Sequence, residues 1–498
     1  MSQAIFSFDN SYARDLEGFY VPWQGDTAPA PRMVRLNRAL ATELGLDAAA
    51  LEGEAGARLL SGTLMPAGAS PLAQAYAGHQ FGGFSPQLGD GRALLIGEIL
   101  TPDGRRRDIH LKGSGRTPFS RGGDGKATLG PMLREYIIGE AMHALGIPTT
   151  RALAVVATGE QVLRDTILPG AVLARVAASH IRVGTFQFFA ARSEHERLRQ
   201  LTAYTMTRHD PDLVAGGAVT GDAVLAFLDR VIGRQADLVA RWMLVGFIHG
   251  VMNTDNMAVS GETIDYGPCA FMDRYDPRQV FSSIDTHGRY AYGNQPAIAQ
   301  WNLARFAETL LPLLDASEDA AIEKATTAIN AFPARFQTAW LDGMRRKLGL
   351  TNAEETDEAL ATLLFDAMAA GRDGVAADMT GTFRALARFA TGEIGTLDEI
   401  GLAGDKARDF AVLYTARLSR DVQAPDDRRR AMEAVNPVYV PRNHKVEQAL
   451  TAAIAGDLQP FERLLEVLAA PFTERPGLED HAVPAPLEFG PYRTFCGT

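Results

Sequence analysis

The segment His249-Gly-Val-Met-Asn-Thr-Asp-Asn256, followed nine residues later by Asp265-Tyr-Gly267, constrains this chain more than any other stretch. Its polar residues are spaced as in the loops of kinase-type phosphate-transferring enzymes, which read H-R-D-x-x-x-x-N. In such a loop the Asp takes the proton of the attacking hydroxyl and the Asn holds a cation. Counted from His249, the Asn falls at Asn256, but the position of the base is Val251, which has no lone pair to offer. An acid stands instead at Asp255, directly before the Asn. Oxygen ligands for a cation are kept while the usual base is displaced, which points away from ordinary phosphorylation. His249 itself reads as structural.

A chain of 498 residues is long enough for a large two-lobed enzyme or for two to three domains. Its 49 basic and 60 acidic residues leave a net charge of −11. That balance argues against a nucleic-acid scaffold or an anionic-membrane binder, which would carry a basic stripe. It leaves room for a local basic pocket. The opening MSQAIFSFDN has neither a basic nor an apolar signal region, and no apolar run is long enough to span a bilayer. Two cysteines, Cys269 and Cys496, exclude a disulfide framework and a Cys-rich zinc site. A cytoplasmic monomer is expected, with no nucleic-acid and no membrane partner.

Along the chain, residues 1–70 mix Pro, Gly and Ala around one short helical segment, Leu36 to Leu44, with an extended entry at Ala28-Pro-Ala-Pro-Arg32. Arg92 to Leu100 and Arg107 to Lys112 read as strands joined by a turn at Asp103-Gly104. In the second, Ile109 and Leu111 face one way and His110 and Lys112 the other. Apolar residues at helical spacing predict a helix from Leu129 to Leu145, ended by Gly146 and Pro148. Strands follow at Ala152–Thr158 and Ala171–Ala178. Beyond Ala190 the pattern turns helical: Glu194 to Arg208, Asp222 to Phe247, Pro296 to Leu314, and a last helix from Gln448 to Leu468. Asn436 to Asn443 reads as an irregular packed segment. Strands, one helix, more strands and then helices give an α+β chain in the order of a protein-kinase-like two-lobed fold. The expected division is an N-terminal extension (1–75), a mixed β N-lobe (76–190), a helical C-lobe with the catalytic loops (191–345) and a helical C-terminal region with its tail (346–498).

Several side chains carry candidate chemistry. Lys112 on a strand and Glu135 in the next helix are placed as a phosphate-reaching lysine and the carboxylate that aims it. Alone, such a pair reads first as a surface lysine and a helix-face glutamate; the downstream loop, in the right order, reverses that preference. Gly89-Asp-Gly91-Arg92 reads as a loop laying backbone amides on phosphate, or as a tight hairpin. The long run Gly113 to Lys126, with Asp124 and Gly125, follows Lys112 directly, where a kinase has no such loop. Arg175 lies inside the apolar stretch Ala171 to Ala178 and needs a partner, either a carboxylate or a phosphate. Arg182 follows it. Asn256 and Asp265 offer oxygen ligands suited to magnesium or manganese; the bland alternative is a loop capped by Asn and Asp. The basic turn Arg105-Arg-Arg107 reads as a solvated turn ahead of the alternative, a substrate contact.

Together, Tyr76-Ala-Gly-His-Gln-Phe-Gly-Gly-Phe84, Gln87 to Arg92, His110 to Lys126, Leu133-Arg-Glu-Tyr136 and His249 to Gly267 closely resemble the selenoprotein O (YdiU) family over essentially the whole chain. The resemblance implies a protein-kinase-like fold that holds ATP in a flipped orientation. It implies transfer of AMP from ATP to Ser, Thr or Tyr hydroxyls of proteins, with release of pyrophosphate and with Mg2+ or Mn2+ as cofactor. By motif, Gly89, Gly91, Arg92, Lys112, Asp124, Gly125, Arg175 and Arg182 would bind the nucleotide. Asp255 would accept the proton, Asn256 and Asp265 would hold the metal, with Asp265 also at the nucleotide, and Glu135 would orient Lys112. Some members carry selenocysteine third from the C-terminus, where this chain has Cys496. The resemblance therefore also raises a regulatory Cys269–Cys496 disulfide, against two free thiols in a reducing compartment.

Two other function classes stay open at this stage. One is a phosphotransferase acting on a protein or small molecule, which Val251 disfavours. The other is a nucleotide-binding pseudokinase scaffold, which the presence of Asp255, Asn256 and Asp265 together disfavours.

Overall fold

The computed structural model describes residues 5–495 apart from 215, 218 and 394. Three short strands lie early: β1 (Tyr20–Pro22), β2 (Arg32–Leu36) and β3 (Leu72–Gln74). A small hairpin, β4 (Gly78–Gln80) with β5 (Gly83–Ser85), precedes the main antiparallel run of β6 (Ala93–Leu100) and β7 (Arg106–Lys112). A two-residue strand β8 (Ala127–Thr128) and the long hairpin β9 (Arg151–Leu163) and β10 (Ile167–Ala177) complete the sheet. Its strand order is β1-β3-β6-β7-β10-β9-β2, with β8 beside β10, and every pairing is antiparallel. The first 75 residues thus contribute strands to the same sheet as residues 76–190, and no separate extension is set apart from that sheet among the described residues. They also hold short helices at Ser11–Asp15, Arg38–Glu43, Ala48–Glu52 and Glu54–Leu60, where one helical segment was expected.

Period-two alternation sorts the sheet's faces. Ile109, Leu111, Val172, Ala174 and Val176 join a core with Leu40, Leu51 and Leu60 from the early helices. Leu173 and Ala171 turn the other way, toward the helix Leu129–Ala144. That helix is buried nearly all round. The sheet lies on one side of it, and the helices Asn443–Ile454 and Gln459–Leu468 cover the other. An unbroken helix over Gln448–Leu468 is not what forms: Ala455-Gly456-Asp457-Leu458 interrupts it, and Pro460 with the Asp457 carboxylate capping Gln459 N–H starts the second helix. The long apolar helix also stops earlier than its pattern predicts, spanning Gly221–Leu244. Phe247–Ile248 leave it as β11, which pairs with β12 (Ala270–Phe271). The cause is tertiary: Phe247 and Phe271 are packed in the core, where apolar periodicity cannot tell strand from helix.

Helices at Val183–Ala190, His195–His209, Gln295–Leu314, Glu318–Asn330 and Phe332–Lys347 pack around Gly221–Leu244 in one continuous apolar core. The irregular segment 436–443 is buried. Its Arg442 bridges Asp378 at 2.8 Å and Asp273 at 3.0 Å, tying the C-terminal third to the residues just after β12. The turn Arg105-Arg-Arg107 is held by carboxylates: Asp103 and Glu43 take Arg105, Asp9 takes Arg106 and Glu262 lies beside Arg107.

Lys347 ends its helix buried over the ring of Phe383, 4.0 Å from its centre, with no carboxylate partner among the described residues. Burial pushes its ammonium down to about 7, from an ordinary value near 10.5. The unfolded chain then binds more protons than the folded one between about pH 7 and 10.5, so this lysine's cost is full below pH 7 and vanishes near 10.5. We expect Lys347→Met to raise stability at pH 7 by roughly 3–5 kcal/mol and to lose that advantage above about pH 10, as read by denaturant unfolding at both pH values.

Candidate functional site

Strand β7 presents Lys112 and His110 on the face that meets helix Leu129–Ala144. β10 lies antiparallel to it, with Arg175 opposite His110. Three cations converge there on two carboxylates. Lys112 Nζ donates to Glu135 Oε2 at 2.6 Å and to Asp265 Oδ1 at 2.9 Å. Arg175 donates to the same Asp265 oxygen at 2.6 Å, to Glu135 Oε1 at 3.3 Å and to His110 Nδ1 at 3.2 Å. Arg182 donates to Asp265 Oδ2 at 3.2 Å and to the backbone oxygen of Asp255 at 3.0 Å, with its guanidinium over the ring of Tyr76. Lys112, Glu135, Arg175 and Arg182 are all buried. The two carboxylates bring most of this charge into pairs, leaving an excess of one cation over the anions, with Arg182 Nε and Nη2 buried and without a hydrogen-bond partner.

Asp265 sits in the left-handed region at φ 62°, a cost a non-glycine residue bears where the surroundings over-determine it. Burial alone would raise its carboxyl. Arg175, Lys112 and Arg182 outweigh burial and hold it well below the usual carboxylate range. Asp255 behaves oppositely. Burial, only partly offset by Arg182, pushes it up to about 6. Its Oδ2 accepts from Gln80 Nε2 at 3.3 Å, and its Oδ1 is buried with no hydrogen-bond partner. Backbone crowds it closely: a Cβ on Gly78 would stand 2.5 Å from Asp255 Oδ1. The surroundings thus push the proton affinities of the two carboxyls in opposite directions.

Asn256 lies beside Asp255 in a short turn, and its Nδ2 donates to Val251 O at 3.0 Å, orienting the amide oxygen as the acceptor end. His249 is structural: buried, its Nε2 meets Ile264 O at 2.9 Å, and its N–H donates to Gln295. A cleft of about 530 Å³ is lined by Lys112, Arg175, Arg182, Asp255, Asn256 and Asp265, and also by Gly89, Gly91, Arg92, Asp124 and Gly125. All the candidate nucleotide and metal residues therefore share one cavity. Seven basic side chains line it (Arg92, Lys112, Arg121, Lys126, Arg164, Arg175, Arg182) against four acidic ones (Asp90, Asp124, Asp255, Asp265), on a chain whose net charge is −11. A polyanion fits that field.

The glycine loops contribute closeness more than free amides. Gly89 N–H bonds Tyr76 O and Gly91 N–H bonds Gly89 O. Gly125 has φ 70°, and a Cβ there would lie 2.1 Å from Gly115 O, so only glycine lets the two ends of the 113–126 loop touch. Asp124 is exposed and bound to Arg164 at 2.8 Å and to Lys126 N–H at 2.9 Å, which folds the loop over the cleft.

Residues beyond the motif reading complete the site. Asp90 is buried under it, accepting from Gln74 N–H at 3.0 Å and lying 3.3 Å from His110 Nε2. His110 stacks on His180, whose Nδ1 is 2.9 Å from Asp108. Gln80, Tyr76 and Asn253 line the cleft. Alternation placed His110 beside Lys112; nothing in the sequence marked Gln80 as the partner of Asp255, because the two are 175 residues apart.

Cys269, four residues after Asp265, is buried with its thiol free. Burial pushes that thiol up to about 12. Cys496 lies outside the described residues. The tail reaches this loop nonetheless: Thr494 Oγ1 donates to Pro268 O at 2.7 Å, and Tyr492 accepts from Arg134 at 2.9 Å.

The two residues expected to hold a metal, Asn256 and Asp265, line the cleft with oxygen donors of the kind magnesium takes. No preassembled group of three or more His, Cys, Asp or Glu ligands occurs among the described residues. Asn256 and Asp265 therefore fit a magnesium-type cation only as a partial set of ligands. No helix among the described residues is long and apolar enough to cross a membrane.

Comparison with known proteins gives a consistent result. The family model described as protein adenylyltransferase SelO matches residues 4–469. A relative from Cereibacter sphaeroides (strain ATCC 17025) called protein nucleotidyltransferase YdiU is 63% identical over 495 residues, covering 99% of this chain and all of its own. Proteins of the same name from Mycolicibacterium smegmatis and Sphingopyxis alaskensis are 56% and 54% identical, each alignment covering at least 99% of both chains.

A buried thiol with so high a pKa supplies almost no thiolate. We expect iodoacetamide at pH 8 to leave Cys269 unmodified in the native protein and to label it fully after denaturation, as followed by peptide mass spectrometry.

Proposed function

The chain belongs to the SelO family of protein adenylyltransferases, which makes it a nucleotidyltransferase, and from that premise we propose how the cleft performs the transfer. ATP enters with its triphosphate among Lys112, Arg175, Arg182 and Arg92. The observation that carries this is the convergence of three buried cations on Asp265 at the floor of a basic cleft. Phosphate oxygens compete with Asp265 for these cations, and its carboxylate oxygens become available as they are drawn away. Asp265 and Asn256 would then hold Mg2+ or Mn2+, which supplies charge neutralisation at the phosphates when bound.

An orientation that brings the α-phosphate over Asp265 and Asn256 leaves the β- and γ-phosphates to the loop of residues 113–126, with its Arg121 and Lys126. The acceptor hydroxyl oxygen of a Ser, Thr or Tyr attacks the α-phosphorus, and its proton passes to Asp255. The bond from the α-phosphorus to the bridging oxygen breaks, and pyrophosphate leaves on the basic loop. Asp255 is suited to this role because burial has raised its affinity for a proton close to working pH. Glu135 holds Lys112 against the pull of the phosphates. Val251, at the place a kinase reserves for its base, lines the cleft as an apolar wall. The enzyme lobes correspond to the sheet with its Glu135 helix and to the helical body around Gly221–Leu244, in the manner of a kinase-like pair. We assign it to the cytoplasm as a monomer.

The test is mass spectrometry of a protein acceptor after incubation with ATP and Mg2+ or Mn2+. An AMP-sized adduct on hydroxyl residues is expected, and a phosphate-sized adduct would overturn the reading. Asp265→Ala should lower the rate at least 1000-fold, since it removes a cation ligand and leaves three buried cations short of an anion. Asp255→Asn should lower kcat by about 100- to 10,000-fold with little change in ATP affinity.

A further inference from the structure

Beside the nucleotide cleft, on the side of Asp255, a second hollow of about 440 Å³ opens to solvent, and the two share Phe81 and Ile284. Phe81 is the tip of the β4–β5 hairpin. It takes a left-handed φ of 51°, and its N–H is held by Asn253 Oδ1 and the Tyr290 hydroxyl, both at 3.1 Å. The residue just before it, Gln80, is the one that hydrogen-bonds the Asp255 carboxylate. Anything that brings a hydroxyl to Asp255 from this side must therefore pass over the hairpin tip.

The tip is unusually apolar for a rim. Phe81, Phe84 and Ile284 are 36%, 43% and 58% exposed. Behind them runs an unbroken strip of ring contacts. Phe84 packs on His79, and His79 on Trp301. Arg289 lies over Trp301 and Tyr290, and Tyr290 packs on Phe81. Arg289 has no carboxylate partner among the described residues, and its Nε is buried without a hydrogen bond. The adjacent Asp285 is already used, accepting from the N–H groups of Arg289 and Tyr290 at 2.9 and 2.8 Å. The strip thus combines exposed aromatic and aliphatic surface with one cation whose charge is not locally matched.

We propose that this strip is the docking surface for the acceptor polypeptide: Phe81 and Ile284 grip an apolar side chain within two residues of the reacting hydroxyl, and Arg289 takes a nearby acidic side chain. The inference rests on the adenylyl-transfer reading above and adds its acceptor preference. Continuity with the cleft selects this occupant. The rim touches the cavity that holds Asp255, and it sets exposed apolar groups beside one cation, a mixture that an apolar and acidic peptide segment complements. Phe81 and Ile284 stand at the mouth shared by the two hollows and Arg289 lies outside the nucleotide cleft, so the affinity for an ATP analogue is measured beside acceptor kinetics to separate a docking effect from a nucleotide effect.

The experiment uses the full-length enzyme with ATP and a library of 11-residue peptides randomised around a central Ser, Thr or Tyr, reading AMP adducts by mass spectrometry. Phe81→Ser/Ile284→Ser and Arg289→Gln are run beside the wild type, with calorimetric affinity for a non-hydrolysable ATP analogue and thermal unfolding as controls. The expected result is enrichment of Phe, Leu, Ile or Met within two positions of the modified hydroxyl and of Asp or Glu nearby. The double variant should lose the apolar preference and at least tenfold in kcat/KM for the selected peptide, mostly through KM. Arg289→Gln should lose only the acidic preference. Unchanged ATP-analogue affinity and unfolding temperature complete that result. Peptides modified by the wild type without any such preference, or modified equally by the variants, would overturn the docking surface while leaving adenylyl transfer standing. Modification of no peptide and no protein acceptor by the wild type would remove the transfer reading and the docking surface together.

Discussion

The charge cluster around Asp265 is the interaction on which the site depends. Lys112 comes from the sheet, Arg175 from its neighbouring strand, Arg182 from the start of the next helix, Glu135 from the covering helix and Asp265 from a loop beyond the long helix. No one of these charges could be buried alone, since an unpaired ion costs several kcal/mol out of water. Each element is therefore placed partly by the need of its ion for the others. The strained backbone at Asp265 fits this account, because five converging elements over-determine its position.

From the cluster, order spreads outward. The Glu135 helix is held against the sheet by apolar contacts and from behind by the last two long helices, so the C-terminal third fixes the lysine's partner. Arg134, one residue before Glu135, donates to the backbone oxygens of Gly267 and Cys269 and to Tyr492. The loop after Asp265, the helix and the tail are thereby tied at one point. A buried Cys269 at this junction acts as packing in the described structure, with its thiol shielded from solvent.

The two acidic groups of the site show how surroundings divide labour between like side chains. Asp255 is buried and Asp265 half-buried, yet one is crowded by backbone and an amide and the other by cations. Burial raises both; the neighbours decide which one stays raised. The proposed roles, ligand and proton acceptor, follow from that difference.

Much of this was legible in the sequence. Alternation in Arg107–Lys112 fixed which residues face the helix, apolar spacing fixed the helix that begins at Leu129, and the spacing of His249, Asn256 and Asp265 marked the chemical loop, because each of these signals is local. What alternation and spacing leave undetermined is distance across the fold. Gln80 meeting Asp255, Asp90 lying beneath His110 and Arg175 choosing carboxylates as its resting partners are contacts between residues 20 to 175 positions apart. The ends of the long helix and the break near Gly456 were likewise decided by tertiary packing, since an apolar run buries equally well as strand or helix until a neighbour selects one. The sequence determined the parts and their chemistry; only the folded chain decided which charges share a cavity, because pairing buried ions is a long-range requirement that no local pattern records.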